Sequence, residues 1–226
     1  MNDAVLDNPV WAALTGPHST WAVGDDRARR YPKDVAPFAA MADPTDPRCW
    51  ESLATIVGDD PVALPVGIEH RPAGWRVTWS GSAVQMVAGD PEGAADPAAV
   101  ELGERDVPAI LDLVERTQPG PFRARTVELG SYLGVRRAGA LVALAGERMH
   151  PPGWTEISAV CTDPSVRGQG LATRLVRAVT AGIAVRGEGA VLHVVTDNTP
   201  AIRLYESLGF EVRRTLDIGG AIPVTG

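Results

Sequence analysis

The stretch Val160-Cys161-Thr162-Asp163-Pro164-Ser165-Val166-Arg167-Gly168-Gln169-Gly170-Leu171-Ala172 decides how the chain is read. A strand-like run ends at Asp163-Pro164, and a glycine-flanked turn opens directly into an apolar-periodic helix. Two glycines in three residues let backbone N–H groups converge with no Cβ in the way, and the first helical turn leaves further donors unpaired. Those donors and the positive end of the helix dipole point the same way. The segment is therefore a candidate anion cradle, suited above all to a pyrophosphate, with Arg167 at its lip.

Working outward, the helix after the cradle carries Leu171, Leu175, Val179 and Ile183 at i, i+4 spacing and stops near Gly187. Ala190–Thr196 reads as a nearly all-apolar, buried strand. Thr199 is the expected cap of a short helix with Pro200 at its first position, ending at Gly209, and Phe210–Leu216 as a last strand. Upstream, Asp106 is the expected cap of a helix whose Val107, Ile110, Leu111 and Val114 share a face. Pro119-Gly120-Pro121 breaks it, and Phe122–Leu129 reads as a second helix. Ser131–Arg137, Leu141–Met149 and Thr155–Thr162 read as three successive strands, with turns at Ala138-Gly139-Ala140 and His150-Pro151-Pro152-Gly153. The order implies an α/β fold around a mixed sheet flanked by helices.

A run rich in Gly, Pro and acid, Ala88–Pro97, suggests a boundary between residues 1–97, a smaller α+β lobe, and residues 98–226. Five of the six tryptophans precede it. The first lobe shows strand-like runs at Val62–Gly67 and Trp75–Ala88 and a short helix near Trp50–Val57, and it carries no glycine-rich phosphate loop.

Composition narrows the function classes. Hydrophobic residues make up 45% and charged residues 22%, as in an ordinary globular protein. No run of about 18 apolar residues suggests a membrane span, and the N-terminus lacks the regions of a secretory signal. Cys49 and Cys161 lack metal-ligand spacing, so a reduced, cytoplasmic, metal-free protein is expected. Residues 1–97 hold 14 acidic and 7 basic side chains, against 14 and 14 in the rest, and neither part offers the basic face a nucleic-acid binder needs. A P-loop hydrolase is excluded, because no Lys-Ser/Thr follows the glycines and the only lysine is Lys33.

Two motifs together resemble the GNAT superfamily of acyl-CoA-dependent N-acyltransferases. Arg167-Gly168-Gln169-Gly170-Leu171-Ala172 matches the family's pyrophosphate motif, Arg/Gln-x-x-Gly-x-Gly/Ala after the fourth strand. Asn198, Tyr205 and Leu208-Gly209-Phe210 match the second, an Asn followed by a short helix with Tyr and then Leu-Gly-Phe. The motifs lie about 30 residues apart, and the element order fits over about residues 98–226. The two-lobe length also resembles glycine N-acyltransferase-like enzymes, which implies that residues 1–97 are a divergent GNAT-like half, although that lobe lacks both motifs.

The resemblance implies acetyl-CoA as cosubstrate and a primary amine, on a small molecule or a peptide, as acceptor, with direct attack in a ternary complex. It implies that Arg167–Ala172 hold the pyrophosphate and that Val160-Cys161-Thr162 pair with the pantetheine arm, the Val160 N–H also meeting the acyl oxygen. Tyr205 would protonate the departing thiolate. Asn198 would either bond the cofactor arm or cap its helix. Cys161 is read as a packing residue. Glu156, sharing a strand face with Ser158 and Val160, is the expected general base, its pKa raised by partial burial. His150 is a further candidate base, and His193, mid-strand in an apolar run, is read as structural. The alternative from another class is a non-catalytic acyl-CoA-binding or sensing module.

Overall fold

The computed structural model describes residues 2–88 and 93–224. Part of the expected linker, residues 89–92, lies outside the described residues. In chain order the elements are α1 (Pro9–Thr15), β1 (Val23–Gly24), β2 (Ala28–Arg30), β3 (Ala39–Met41), α2 (Pro47–Val57), β4 (Val62–Leu64), β5 (Trp75–Ala88) and β6 (Val100–Leu102). They continue with α3 (Val107–Thr117), β7 (Tyr132–Arg137), β8 (Ala140–Glu147), β9 (Trp154–Thr162), α4 (Leu171–Val185), β10 (Gly189–Val195), α5 (Thr199–Ser207) and β11 (Phe210–Pro223). Eight strands form one mixed sheet in the order β4-β11-β5-β10-β9-β8-β7-β6, and β1-β2-β3 form a small antiparallel sheet. Strand β5, which precedes the expected boundary at residue 97, thus lies inside the same sheet as the strands that follow it.

Alternation along β10 sets the two faces of the sheet. Ala190, Leu192 and Val194 pack beneath Leu171, Leu175, Val179 and Ile183 of α4, whose i, i+4 row is buried as its periodicity predicts. Val191 faces the other way, against Trp154 and Leu6 of the N-terminal segment. Helix α3 lays Ile110 and Leu113 on Tyr132, Leu144 and Cys161. A separate core gathers Trp50, Leu53 and Val57 of α2 with Met41, Leu64 and Trp75. No helix of the described residues is long and apolar enough to cross a membrane.

Three local expectations are corrected. Asp106 does not cap α3: its carboxylate takes the Gly103 N–H and the Arg136 guanidinium instead. Asn198, not Thr199, caps α5, its Oδ1 accepting the Ala201 N–H at 3.2 Å. Phe122–Leu129 forms only a 3-10 turn at Thr126–Leu129. That segment is held by the N-terminal part, through Thr126 Oγ1 donating to the Val35 carbonyl and Arg125 pairing with Asp34.

Where the N-terminal part meets the β8–β9 hairpin, the His18 and His150 rings lie 5.0 Å apart, and His18 Nδ1 is 2.8 Å from the Tyr31 hydroxyl. Burial, then the neighbouring His150, lowers the His18 pKa from 6.5 to about 4. His18 is thus neutral in the fold but takes up a proton when unfolded, so stability rises with pH between about 4 and 6.5 and is lost as pH falls through that window. The unfolding free energy from urea denaturation should be level above pH 7 and drop by up to about 3 kcal/mol by pH 4, a drop that His18→Gln reduces. An unchanged slope in the variant would assign the acid sensitivity elsewhere.

Candidate active site

Strands β9 and β10 run parallel but pair only at Trp154–Gly189, Thr155–Ala190 and Glu156–Val191. Beyond that point β9 continues to Thr162 and β10 to Val195 with no further register between them, so the sheet opens into a V. On the other side of β9, Leu144 pairs with Cys161 and Gly146 with Ser158, leaving Ala145 opposite both Ala159 and Val160. This is a β-bulge, and Ala159 adopts it at φ +54°, a conformation that costs a non-glycine residue about 1–2 kcal/mol. The bulge also overturns a sequence expectation. Val160 does not share the face of Glu156 and Ser158; it packs toward the α4 side, while Ala159 and Cys161 pack toward α3.

Thr162 leads into a turn held by Asp163, whose Oδ1 accepts the Ser165 N–H and hydroxyl at 2.9 and 2.6 Å. The Arg116 guanidinium pairs with the same carboxylate group. Arg167 donates Nε to the Thr162 carbonyl at 3.2 Å, which fixes its stem at the base of the loop. Gly168 and Gly170 sit at φ +75° and +72°, and a Cβ at either position would project into open space. Their glycine identity therefore answers to backbone conformation. Residues 167–170 are exposed, Gly170 begins α4 without a side-chain cap, and Leu171 is buried beneath the turn while Ala172 is half-buried. The result is a solvent-facing run of backbone donors at a helix start, with no Cβ at Gly168 or Gly170, a geometry that suits an anion.

Tyr205 lies on the inner face of α5, its ring edge-on to Phe210 at 5.9 Å. Burial, and secondarily the nearby Cys161, push its pKa well above the ordinary phenol value. Its hydroxyl makes no hydrogen bond to the described residues. Burial likewise raises the Cys161 thiol, against the opposing effects of the Thr117 hydroxyl and of Arg116 and Arg167, which fits a packing residue rather than a nucleophile.

Glu156 departs from expectation. It is completely buried, and both of its oxygens are taken by Arg148, at 2.8 and 2.7 Å. Oε1 also bonds His193 Nδ1 at 2.8 Å. Burial alone would raise its pKa, but Arg148 and His193 outweigh that and hold it at about 2. The Arg148 guanidinium in turn stacks 4.5 Å above the Phe38 ring. The carboxylate is thus enclosed by Arg148 and His193, and its pKa is lowered where the sequence led us to expect a rise.

The network runs on across the sheet. Gln85 Nε2 lies 3.0 Å from His193 Nε2 and donates to the Leu6 carbonyl, while Gln85 Oε1 accepts from Arg213, which also binds Asp7. With the amide orientation fixed by Leu6 and Arg213, Gln85 must donate to His193 Nε2. His193 is therefore the neutral tautomer that donates Nδ1–H to Glu156, a structural role as its sequence context suggested. His150 sits in the hairpin before β9, at the end away from the V, so it does not face the opening. Sequence reasoning missed Arg148, Gln85 and the Ala159 bulge.

Comparisons with known proteins agree with this geometry. A family model described as FR47-like protein matches residues 132–217. A mycothiol acetyltransferase from Salinispora tropica is 30% identical over 91% of this chain and 63% of its own length. The N-alpha-acetyltransferase RimI of Mycobacterium tuberculosis is 38% identical over 41% of this chain and 62% of its own. The chain thus spans less than two thirds of these curated relatives. A solved structure from Novosphingobium aromaticivorans, assigned to the GNAT family of acetyltransferases, is 42% identical, with a TM-score of 0.88 over 97% of this chain and 99% of that one. The match runs through both the glycine cradle and the strand-inserted N-terminal part, and the chain belongs to the GNAT family.

Proposed function

We propose that this chain moves an acetyl group from acetyl-CoA to a primary amine, by direct attack with both substrates bound. The observation that carries the reading is the V between β9 and β10 opening onto the bare cradle at Arg167–Gly170. Bound there, acetyl-CoA supplies an activated acyl group on a thioester.

The chain's own residues then have defined tasks. Backbone N–H groups of Gly168, Gln169, Gly170 and the first turn of α4, Leu171 and Ala172 included, hold the pyrophosphate beside Arg167. Val160, Cys161 and Thr162 offer main-chain groups to the pantetheine arm along the free edge of β9. The Val160 N–H, released from regular pairing by the bulge, donates to the acyl oxygen as negative charge grows there. Tyr205 gives its proton to the departing sulfur. Asn198 holds α5, and with it Tyr205, in place. Glu156 is a positioning group; the amine attacks as its free base, the proton its nitrogen sheds as the amide forms leaves to solvent, and Tyr205 is reprotonated from solvent.

Curated relatives are named for two reactions, mycothiol acetylation and Nα-acetylation, which is consistent with a small-molecule or peptide amine as acceptor. Incubating the chain with acetyl-CoA and a panel of both amine types, followed by mass spectrometry, should yield acetylated amine and one CoA per product. Tight acetyl-CoA binding with no turnover on any acceptor would reject catalysis. Gly170→Asp, placing a carboxylate at the cradle, should weaken CoA binding about 30-fold while leaving the circular dichroism spectrum unchanged. Unchanged affinity would remove the pyrophosphate from this loop.

A further inference from the structure

The order β4-β11-β5-β10 reads the same from either end once the two parts of the chain are exchanged. In the C-terminal part, antiparallel β7, β8 and β9 lead through α4 to β10, parallel to β9, then α5, then the 14-residue β11. In the N-terminal part, antiparallel β1, β2 and β3 lead through α2 to β4. Phe38, just before β3, bridges Ala63 of β4 in parallel, and a 3-10 turn at Ile68–His70 then precedes the 14-residue β5. Each long strand has left its own part: β5 lies between β10 and β11, and β11 lies between β4 and β5.

Finer details correspond as well. In the pairing of the long strands one residue of each is skipped, Thr78 in β5 and Arg213 in β11, and both are the fourth residue of their strand. The junction of third strand and crossover helix is also built alike. Asp43 Oδ1 accepts the Thr45 N–H and hydroxyl at 2.8 and 2.6 Å, as Asp163 does for Ser165 at 2.9 and 2.6 Å. A prolyl residue follows the aspartate in both, Pro44 and Pro164.

We infer that residues 9–88 and 107–223 are two copies of one acyl-CoA-binding unit, joined about an approximate two-fold axis by exchange of their last strands, and that the first copy has closed its cofactor site. Where Val166–Gly170 form the open cradle in the second copy, Asp46 alone separates Thr45 from α2. Its carboxylate accepts the Arg48 N–H at 2.9 Å, and Pro47 removes another donor, so a phosphate would meet negative charge in place of free N–H groups. Strand β3 pairs with β2 residue for residue, without a bulge. The space beside it is filled by Met41, Leu64 and Ile68, while Pro44 packs where Gly67, at φ +92°, would carry a Cβ. The first copy still contributes β5, which completes the sheet beside β10.

The site count rests on the acetyl-transfer reading, whereas the strand exchange does not. Titration calorimetry of the full chain with CoA should give one site per chain, and the Gly170→Asp variant should show no residual binding at a second site at concentrations that saturate the wild type. A stoichiometry of two, or a tight residual site in the variant, would overturn the closure. Urea unfolding followed by tryptophan fluorescence, dominated by the first copy, and by far-UV circular dichroism should give one coincident transition. Leu53→Ala in the first core and Leu175→Ala in the second should each shift both probes together. Separate transitions, or a substitution that moves one probe alone, would overturn the paired copies. A single transition with no CoA binding would instead defeat the acetyl-transfer reading and leave the two-copy arrangement standing.

Discussion

Tyr205→Phe is expected to lower kcat about 100-fold while leaving the Kd for acetyl-CoA within about twofold, the size of effect that loss of a positioned acid produces. Phenylalanine keeps the edge-on contact with Phe210, so the packing of α5 survives and the change isolates one hydroxyl. That hydroxyl has no partner among the described residues, and burial raises its pKa above the ordinary phenol value. An acid works only while protonated, and a raised pKa extends the protonated range upward. Tyr205 should therefore impose no alkaline limb on kcat below about pH 10. Steady-state kinetics paired with calorimetry would check both statements. An unchanged kcat, or a parallel loss of cofactor affinity, would remove the acid role.

Glu156→Ala should destabilise the fold by about 3–5 kcal/mol, because it leaves Arg148 charged, buried and unpaired and strips the acceptor from His193. Replacing both members of the pair, as in Glu156→Leu with Arg148→Met, should recover much of that loss, since no lone charge remains. The pH dependence follows from a carboxylate held at about 2 against an unperturbed 4.5. Its contribution is fully present above about 4.5 and is lost as pH falls toward 2. Denaturant midpoints across that range would show it. A Glu156→Gln variant that keeps its stability but loses an ionisation near neutral pH from kcat/KM would restore Glu156 as a base.

Local order was well marked in the sequence. The spacing of Leu171, Leu175, Val179 and Ile183 placed α4, and the apolar run after Gly187 placed β10, because burial on one or both faces leaves a periodic imprint. The cradle was equally legible, since positive φ selects glycine. Ala159 shows the converse: alanine at φ +54° has no compositional signature, so the bulge stayed hidden, and with it the true face of Val160. Glu156 was misjudged because its pKa depends on Arg148 and His193, partners chosen by register rather than by nearness in sequence. The expected helix at Phe122–Leu129 lost to tertiary contacts, being too short to nucleate alone and tied to Val35 and Asp34 instead. Sheet order was the least legible feature, for nothing in Trp75–Ala88 names its neighbours.

The exchanged strands impose a schedule on synthesis. When β5 leaves the ribosome, both strands that flank it, β10 and β11, are still about a hundred residues or more away. Until then a 14-residue strand carries two unpaired edges, the kind of surface that recruits other chains. Only release of the last strand lets either copy close, so the halves mature together, late and slowly. The nascent chain is most exposed to misassociation during that interval, and its yield should respond to translation speed and chaperone supply more than its final stability would suggest.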